Sequence, residues 1–98
     1  MEIEFESVVF RWAARTEVLL FADVPEELSE DIRELTAPFA RGFGSVRVEA
    51  TVGATTWRTS IFPNSSGRYW LPLKRAVREA EGLVEHGPVT ARLRLLDV

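Results

Sequence analysis

The stretch Val46-Arg47-Val48-Glu49-Ala50-Thr51-Val52-Gly53-Ala54-Thr55-Thr56-Trp57-Arg58-Thr59-Ser60-Ile61 decides the fold. Val46, Val48, Ala50 and Val52 alternate with Arg47, Glu49 and Thr51. Strict alternation marks a strand with one buried face. Gly53-Ala54 fits a two-residue hairpin turn with glycine first. That turn sets the register: Val52 faces Thr55, Ala50 faces Trp57, Val48 faces Thr59 and Val46 faces Ile61. On the other face Glu49 then lies opposite Arg58, an opposite-charge cross-strand pair. Trp57 points inward, as core or as the wall of a small cavity.

The flanking sequence extends this pattern. Residues 2–12 alternate Ile3 and Phe5 with Glu2, Glu4 and Glu6, a half-buried strand. Phe10 and Trp12 are out of phase with Ile3 and Phe5, which predicts a β-bulge at Val8-Val9. The run Val18-Leu19-Leu20-Phe21-Ala22 predicts a covered strand over 17–23. Pro25 suits the first position of a helix, with Leu28, Ile32 and Leu35 as its apolar stripe. Glu26 and Glu27 sit in its first turn, where the helix dipole favours negative charge, and Pro38 ends it near Thr36. Gly42-Phe43-Gly44 reads as a turn. Pro63 to Gly67 is a loop, and Asn64-Ser65-Ser66 within it a turn. A fifth strand covers 68–73 with Tyr69, Leu71 and Leu73 on one face. A short helix over 74–81 turns Val77 and Ala80 inward and ends at Gly82. Gly87-Pro88 is a turn, and the last strand, 88–96, alternates Val89, Ala91, Leu93 and Leu95 with Thr90, Arg92 and Arg94.

Six short strands with tight turns and two helices predict an all-β fold, leaning towards α+β: one domain spanning residues 1–98, a small barrel or sandwich rather than a parallel sheet. The chain has 98 residues, of which 46% are apolar, 28% charged and 10% aromatic. A chain of this size buries roughly 60–65% of its unfolded surface, enough for one modest core.

An internal echo runs through the sequence. Val24-Pro25 and a helix with Ile32-Arg33-Glu34 are followed by Leu71-Pro72 and a helix with Val77-Arg78-Glu79. Val46-Arg47-Val48-Glu49-Ala50 similarly echoes Val89-Thr90-Ala91-Arg92-Leu93. Chance recurrence of cap and turn chemistry explains this as well as duplication does. A true duplication predicts a pseudo-twofold axis relating two strand–helix–strand units.

Much chemistry is excluded by count. The chain has no cysteine and one histidine, His86. Thiolate nucleophiles, disulfides, cysteine-ligated metals and multi-histidine sites are therefore unavailable. No G-x-S-x-G or phosphate-cradling glycine loop occurs, and one histidine in a turn is not a triad. No catalytic residue, metal or cofactor is implied. Glu26, Glu30 and Glu34 form a solvated face, unsuited to acid–base work. No stretch approaches 18 apolar residues, and the alternating N-terminus is unlike a signal peptide, so a cytoplasmic protein without a membrane helix is expected.

Net charge is −3. Residues 1–54 carry five Lys/Arg against eleven Asp/Glu, a balance of −6; residues 55–98 carry seven against four, a balance of +3. This balance makes nucleic acid an unfavoured partner, although Arg92 and Arg94 lie on one strand face.

The strings Gly42-Phe43-Gly44-Ser45-Val46, Trp57-Arg58-Thr59-Ser60-Ile61-Phe62-Pro63, Tyr69-Trp70-Leu71-Pro72-Leu73-Lys74 and Val77-Arg78-Glu79-Ala80-Glu81-Gly82-Leu83 occur in order. Together, over nearly the whole chain, they resemble DUF1905, a family of small bacterial domains of unknown function. The resemblance implies a small closed antiparallel six-stranded β-barrel similar to the double-split barrels of transition-state regulators and antitoxins. It also implies that some relatives are fused to a domain associated with bacteriocin protection. It supplies no reaction and no catalytic residue. Where the family has Gly-Asp after the second helix, this chain has Gly87-Pro88.

Two surfaces are candidates for contact. Lys74, Arg75 and Arg78 crowd one helical surface, two of them in a first turn where the dipole disfavours cations. A small anion or an acidic protein partner, with Arg41 and Tyr69 as neighbours, would relieve this. So would pairing with Glu26, Glu27, Glu30 or Asp31, or plain solvation. Trp70 points opposite to Tyr69 and Leu71, alongside Arg68, either as a contact surface or beneath a helix or loop. A non-catalytic binding or accessory module follows as the leading reading. A double-split-barrel DNA-binding regulator is the alternative by fold analogy. An enzyme using Lys74 and Tyr69 in a barrel mouth is the third.

Overall fold

The computed structural model describes residues 1–12, 19–39 and 44–97. Its strands are β1 (Glu2–Trp12), β2 (Leu19–Asp23), β3 (Val46–Val52), β4 (Thr55–Pro63), β5 (Tyr69–Pro72) and β6 (Pro88–Leu95). The helices are α1 (Glu26–Thr36), extended by a 3-10 turn at Ala37–Phe39, and α2 (Arg75–Glu81). All strand pairs are antiparallel, and they close in the order β1-β2-β5-β4-β3-β6. The predicted barrel is present.

The β3–β4 hairpin has the register its turn dictates, from Val52 opposite Thr55 to Val46 opposite Ile61. Gly53 takes φ +58°, a conformation that a side chain disfavours. Glu49 lies opposite Arg58 at 3.9 Å and also meets Arg94 of β6 at 3.2 Å. The outward row Glu2, Arg94, Glu49, Arg58 therefore alternates in sign across four strands.

The splits lie in the two long strands. β1 pairs with β6 through residues 2–8 and with β2 through residues 9–12. β4 likewise pairs with β3 up to Ile61 and with β5 from Phe62. Neither ladder of β1 skips a residue, so the expected bulge at Val8-Val9 is absent. Ile3, Phe5 and Val9 all face inward, in one unbroken phase. Phe10 and Trp12 are out of phase because they stand outside the barrel, on the same face as the glutamates.

The barrel maps onto itself when β1, β2 and β3 are exchanged with β4, β5 and β6. Equivalent ladder positions pair Phe5 with Trp57, Val9 with Ile61 and Ala50 with Ala91, all buried. The Val24 amide donates to the Tyr69 carbonyl, and the Leu73 amide donates to the Leu20 carbonyl, both at 2.9 Å. These are the same bond in the two halves. The Ser29 hydroxyl donates to the Val24 carbonyl, and Arg78 Nε donates to that of Leu73. The internal echo is thus a topological pseudo-twofold, but its alignment shifts by two residues from the sequence reading. Val24-Pro25 corresponds to Leu73-Lys74, not Leu71-Pro72, and Pro25 and Lys74 are the two N-cap residues.

Inside, the core is hydrocarbon. Phe5, Val9, Val48, Ile61, Leu71 and Leu93 belong to one cluster of buried apolar residues, which Ile32 of α1 and Val77 of α2 complete. Among the described residues the buried polar ones are Ser29 and Thr36, both on α1. The buried stripe of α1 runs Ser29, Ile32, Thr36, rotated from the expected Leu28, Ile32, Leu35; Leu35 is 42% exposed. Burying hydroxyls is tolerable because each is bonded: Thr36 donates to the Ile32 carbonyl at 2.7 Å, and Ser29 has partners on both sides. On α2, Ala80 is exposed and only Val77 is buried. That helix ends at Gly82, with φ +64°.

Candidate aromatic contact face

Parity places the outer surface. On each strand the residues between the core positions point out of the barrel. On β1, β2 and β5 these include Phe10, Trp12, Phe21 and Trp70. Phe10 lies directly opposite Phe21, and Trp70 opposite both Asp23 of β2 and Phe62 of β4. Ring centroids are 5.0 Å apart for Phe10 and Trp70, 5.4 Å for Phe21 and Trp70, and 5.8 Å for Phe10 and Phe21. Trp12 packs edge-on against Phe21 and Trp70, 6.3 Å from each. Offset and edge-to-face contacts of this kind contribute beyond area burial, about 0.5–1.5 kcal/mol per pair. Val8, Leu19 and Pro72 extend the same outward face. Trp12, Phe62 and Val8 remain 40%, 45% and 54% exposed.

At one margin Arg68 Nη1 donates to Asp23 Oδ2 at 3.0 Å, a half-exposed neutral pair. The other Asp23 oxygen is buried without a protein partner. Trp70 points opposite to the buried Tyr69 and Leu71, as parity predicts, and its neighbours are aromatic rings from two other strands. Phe10, Trp12, Phe21 and Phe62 were not singled out from sequence. Their shared outward parity was the available signal, masked by the assumption that a large apolar side chain faces the core.

The basic cluster divides among different partners. Arg75 Nε meets Glu79 at 2.8 Å, one turn along α2. Arg78 Nε donates to the Leu73 carbonyl at 3.1 Å. Lys74 is exposed at the N-cap. Among the described residues no ion pair joins this cluster to Glu26, Glu27, Glu30 or Asp31. The antiparallel β2 and β5 lead into α1 and α2 from opposite ends of their ladder. Tyr69 is turned into the core, 3% exposed, so its ring is not on the surface that carries Lys74. Arg41 lies outside the described residues, as does the Gly42-Phe43 part of the expected turn. An open depression is lined by Glu6, Ser7, Val8, Pro88, Val89 and Thr90, and none of the basic cluster belongs to it.

Glu26, Glu30 and Glu34 are exposed, on the solvated face of α1. Among the described residues no three His, Cys, Asp or Glu side chains converge as a metal site, and no helix is long and apolar enough to cross a membrane. Arg47 is held above its ordinary pKa by its hydrogen bond to Asp97 and by that carboxylate's charge.

Residues 5–93 match the family model of a domain of unknown function, DUF1905. The chain belongs to this family. Comparison with curated proteins finds no match. In this DUF1905 barrel Pro88 is the first residue of β6 and faces Val8. Proline is tolerated there because a first strand residue can forgo its ladder donor.

Proposed function

We propose that this domain is a non-catalytic binding module whose contact face is the outer aromatic surface around Trp70, with Arg68 at its margin. One observation carries the reading: outside the barrel Phe10 and Trp12 of β1 each pack against both Phe21 of β2 and Trp70 of β5, with centroids 5.0 to 6.3 Å apart, while the core is already filled. The largest exposed apolar patch of a domain, typically a few hundred square ångströms, is often functional. Tryptophan near arginine is the composition of binding hot spots. Tyr69 is buried in the core while Lys74 stands exposed at the N-cap of α2, which favours binding over an enzyme using the two together.

The test is selection of peptides from a displayed random library on the immobilised domain. Enriched peptides are expected to shift the domain's tryptophan emission and to lose affinity at least tenfold for Trp12→Ser. A library that yields no peptide sensitive to Trp12→Ser overturns the reading.

The DNA-binding alternative has less support. A nucleic-acid surface is a basic stripe, whereas Arg94 and Arg58 here alternate with Glu2 and Glu49. A gel shift at low salt, where phosphate contacts are strongest, is expected to show no complex.

A further inference from the structure

Resting on that contact face, we propose that its occupant is a second copy of this chain, docked face to face. The first support is symmetry. The twofold relating antiparallel β2 and β5 runs between Ala22 and Leu71, which lie opposite each other. It emerges through the aromatic surface. About it, Phe21 is equivalent to Trp70, and Phe10 to Phe62. The face therefore presents matched aromatic pairs on either side of its own centre, which suits an isologous contact in which one patch meets itself.

The second support is area. Aromatic side chains bring roughly 150–250 Å² each. With the exposures of Trp12, Phe62 and Val8, and the half-buried Phe10, Leu19, Phe21, Trp70 and Pro72, on the order of 400 Å² of apolar surface stands open. A standard protein interface buries about 800 Å² per partner, a little over half of it apolar. The open aromatic surface is thus close to the apolar share of one side of a stable dimer.

The third support is charge. At the margin that Asp23 and Arg68 form, the two charges neutralise each other, so this margin adds no net charge to the contact.

Sedimentation equilibrium of the full chain, from about 1 µM to about 1 mM, reads this directly, since that range brackets weak to moderate association. The mass is expected to rise to twice that of the chain. Phe62→Asp and Val8→Asp, both at exposed positions, are expected to weaken association at least tenfold while retaining the wild-type circular dichroism spectrum. Phe39→Asp, which is exposed but outside the aromatic surface, is expected to leave it unchanged. Added salt is expected to strengthen association slightly by screening like net charges. A monomer throughout the range overturns the dimer, as does association indifferent to both Phe62→Asp and Val8→Asp. The peptide selection tests the contact face separately: a monomer that still enriches Trp12-sensitive peptides loses the second copy but keeps the binding face.

Discussion

The Tyr69 amide donates to the buried Ser29 hydroxyl at 3.1 Å, and that hydroxyl in turn donates to the Val24 carbonyl. One oxygen thereby ties α1 to both β5 and the end of β2. Removing it leaves a buried donor unsatisfied and weakens the partnering of an acceptor, which costs about 1–3 kcal/mol for each unsatisfied group. Ser29→Ala is expected to lose about 1–3 kcal/mol despite its small change in volume. Urea unfolding checks it: the midpoint falls while the slope stays constant.

The rotated stripe of α1 makes a paired prediction about leucines. Leu71 is fully buried, and Leu35 is 42% exposed. Leu71→Ala is expected to cost about 2–5 kcal/mol, the transfer and cavity terms together. Leu35→Ala is expected to stay within about 0.5 kcal/mol, as a surface change. Thermal unfolding of the two variants reads the difference, and equal losses would place Leu35 in the core after all.

Which parts of this were legible depends on what each pattern can encode. The β3–β4 register was legible because a two-residue turn and the Glu49–Arg58 pair are both local. The phase of Phe10 and Trp12 was misread because hydrophobicity alone does not distinguish the core from an aromatic cluster assembled from three strands. Parity did distinguish them, since both share the phase of Glu2, Glu4 and Glu6. Ser29 was missed in the core because the partners that make its burial tolerable lie on β5 and at the end of β2. The pseudo-twofold was visible, yet its alignment slipped by two residues. A pattern of period two looks the same after such a slip, and only the ladder, through Val24 and Leu73, resolves it. The outer aromatic cluster was half legible: the outward parity of Trp70 was read from the sequence, but not the rings that surround it.

Gly53 carries a prediction that separates strain from crowding. Its φ is +58°, and a Cβ there would run into the Glu81 carboxylate, which accepts from Thr55 Oγ1 at 2.6 Å. Gly53→Ala is expected to destabilise by about 1–2 kcal/mol from the left-handed backbone alone. Displacing Glu81 from Thr55 adds to this. In a Gly53→Ala, Glu81→Ala double variant the crowding part vanishes, so its loss should be smaller than the sum of the two single losses. Strict additivity in a double-mutant cycle would show that Glu81 does not contact the turn.

The other left-handed residue to test is not a glycine. His86 has φ +69°, its amide donates to the Val9 carbonyl at 2.8 Å, and its exposed ring meets Glu85. A left-handed conformation costs an ordinary residue about 1–2 kcal/mol. Glycine removes that cost but adds roughly 0.5–1 kcal/mol of entropy to the unfolded chain. The lost surface pair with Glu85 is worth little. The balance favours His86→Gly by about 0.5–1 kcal/mol, with the amide bond to Val9 kept, whereas His86→Val should destabilise because a β-branched residue resists positive φ. Unfolding midpoints of the two variants check both signs. If His86→Gly proves less stable than the parent, the imidazole makes a contribution that its exposed place in this turn does not provide.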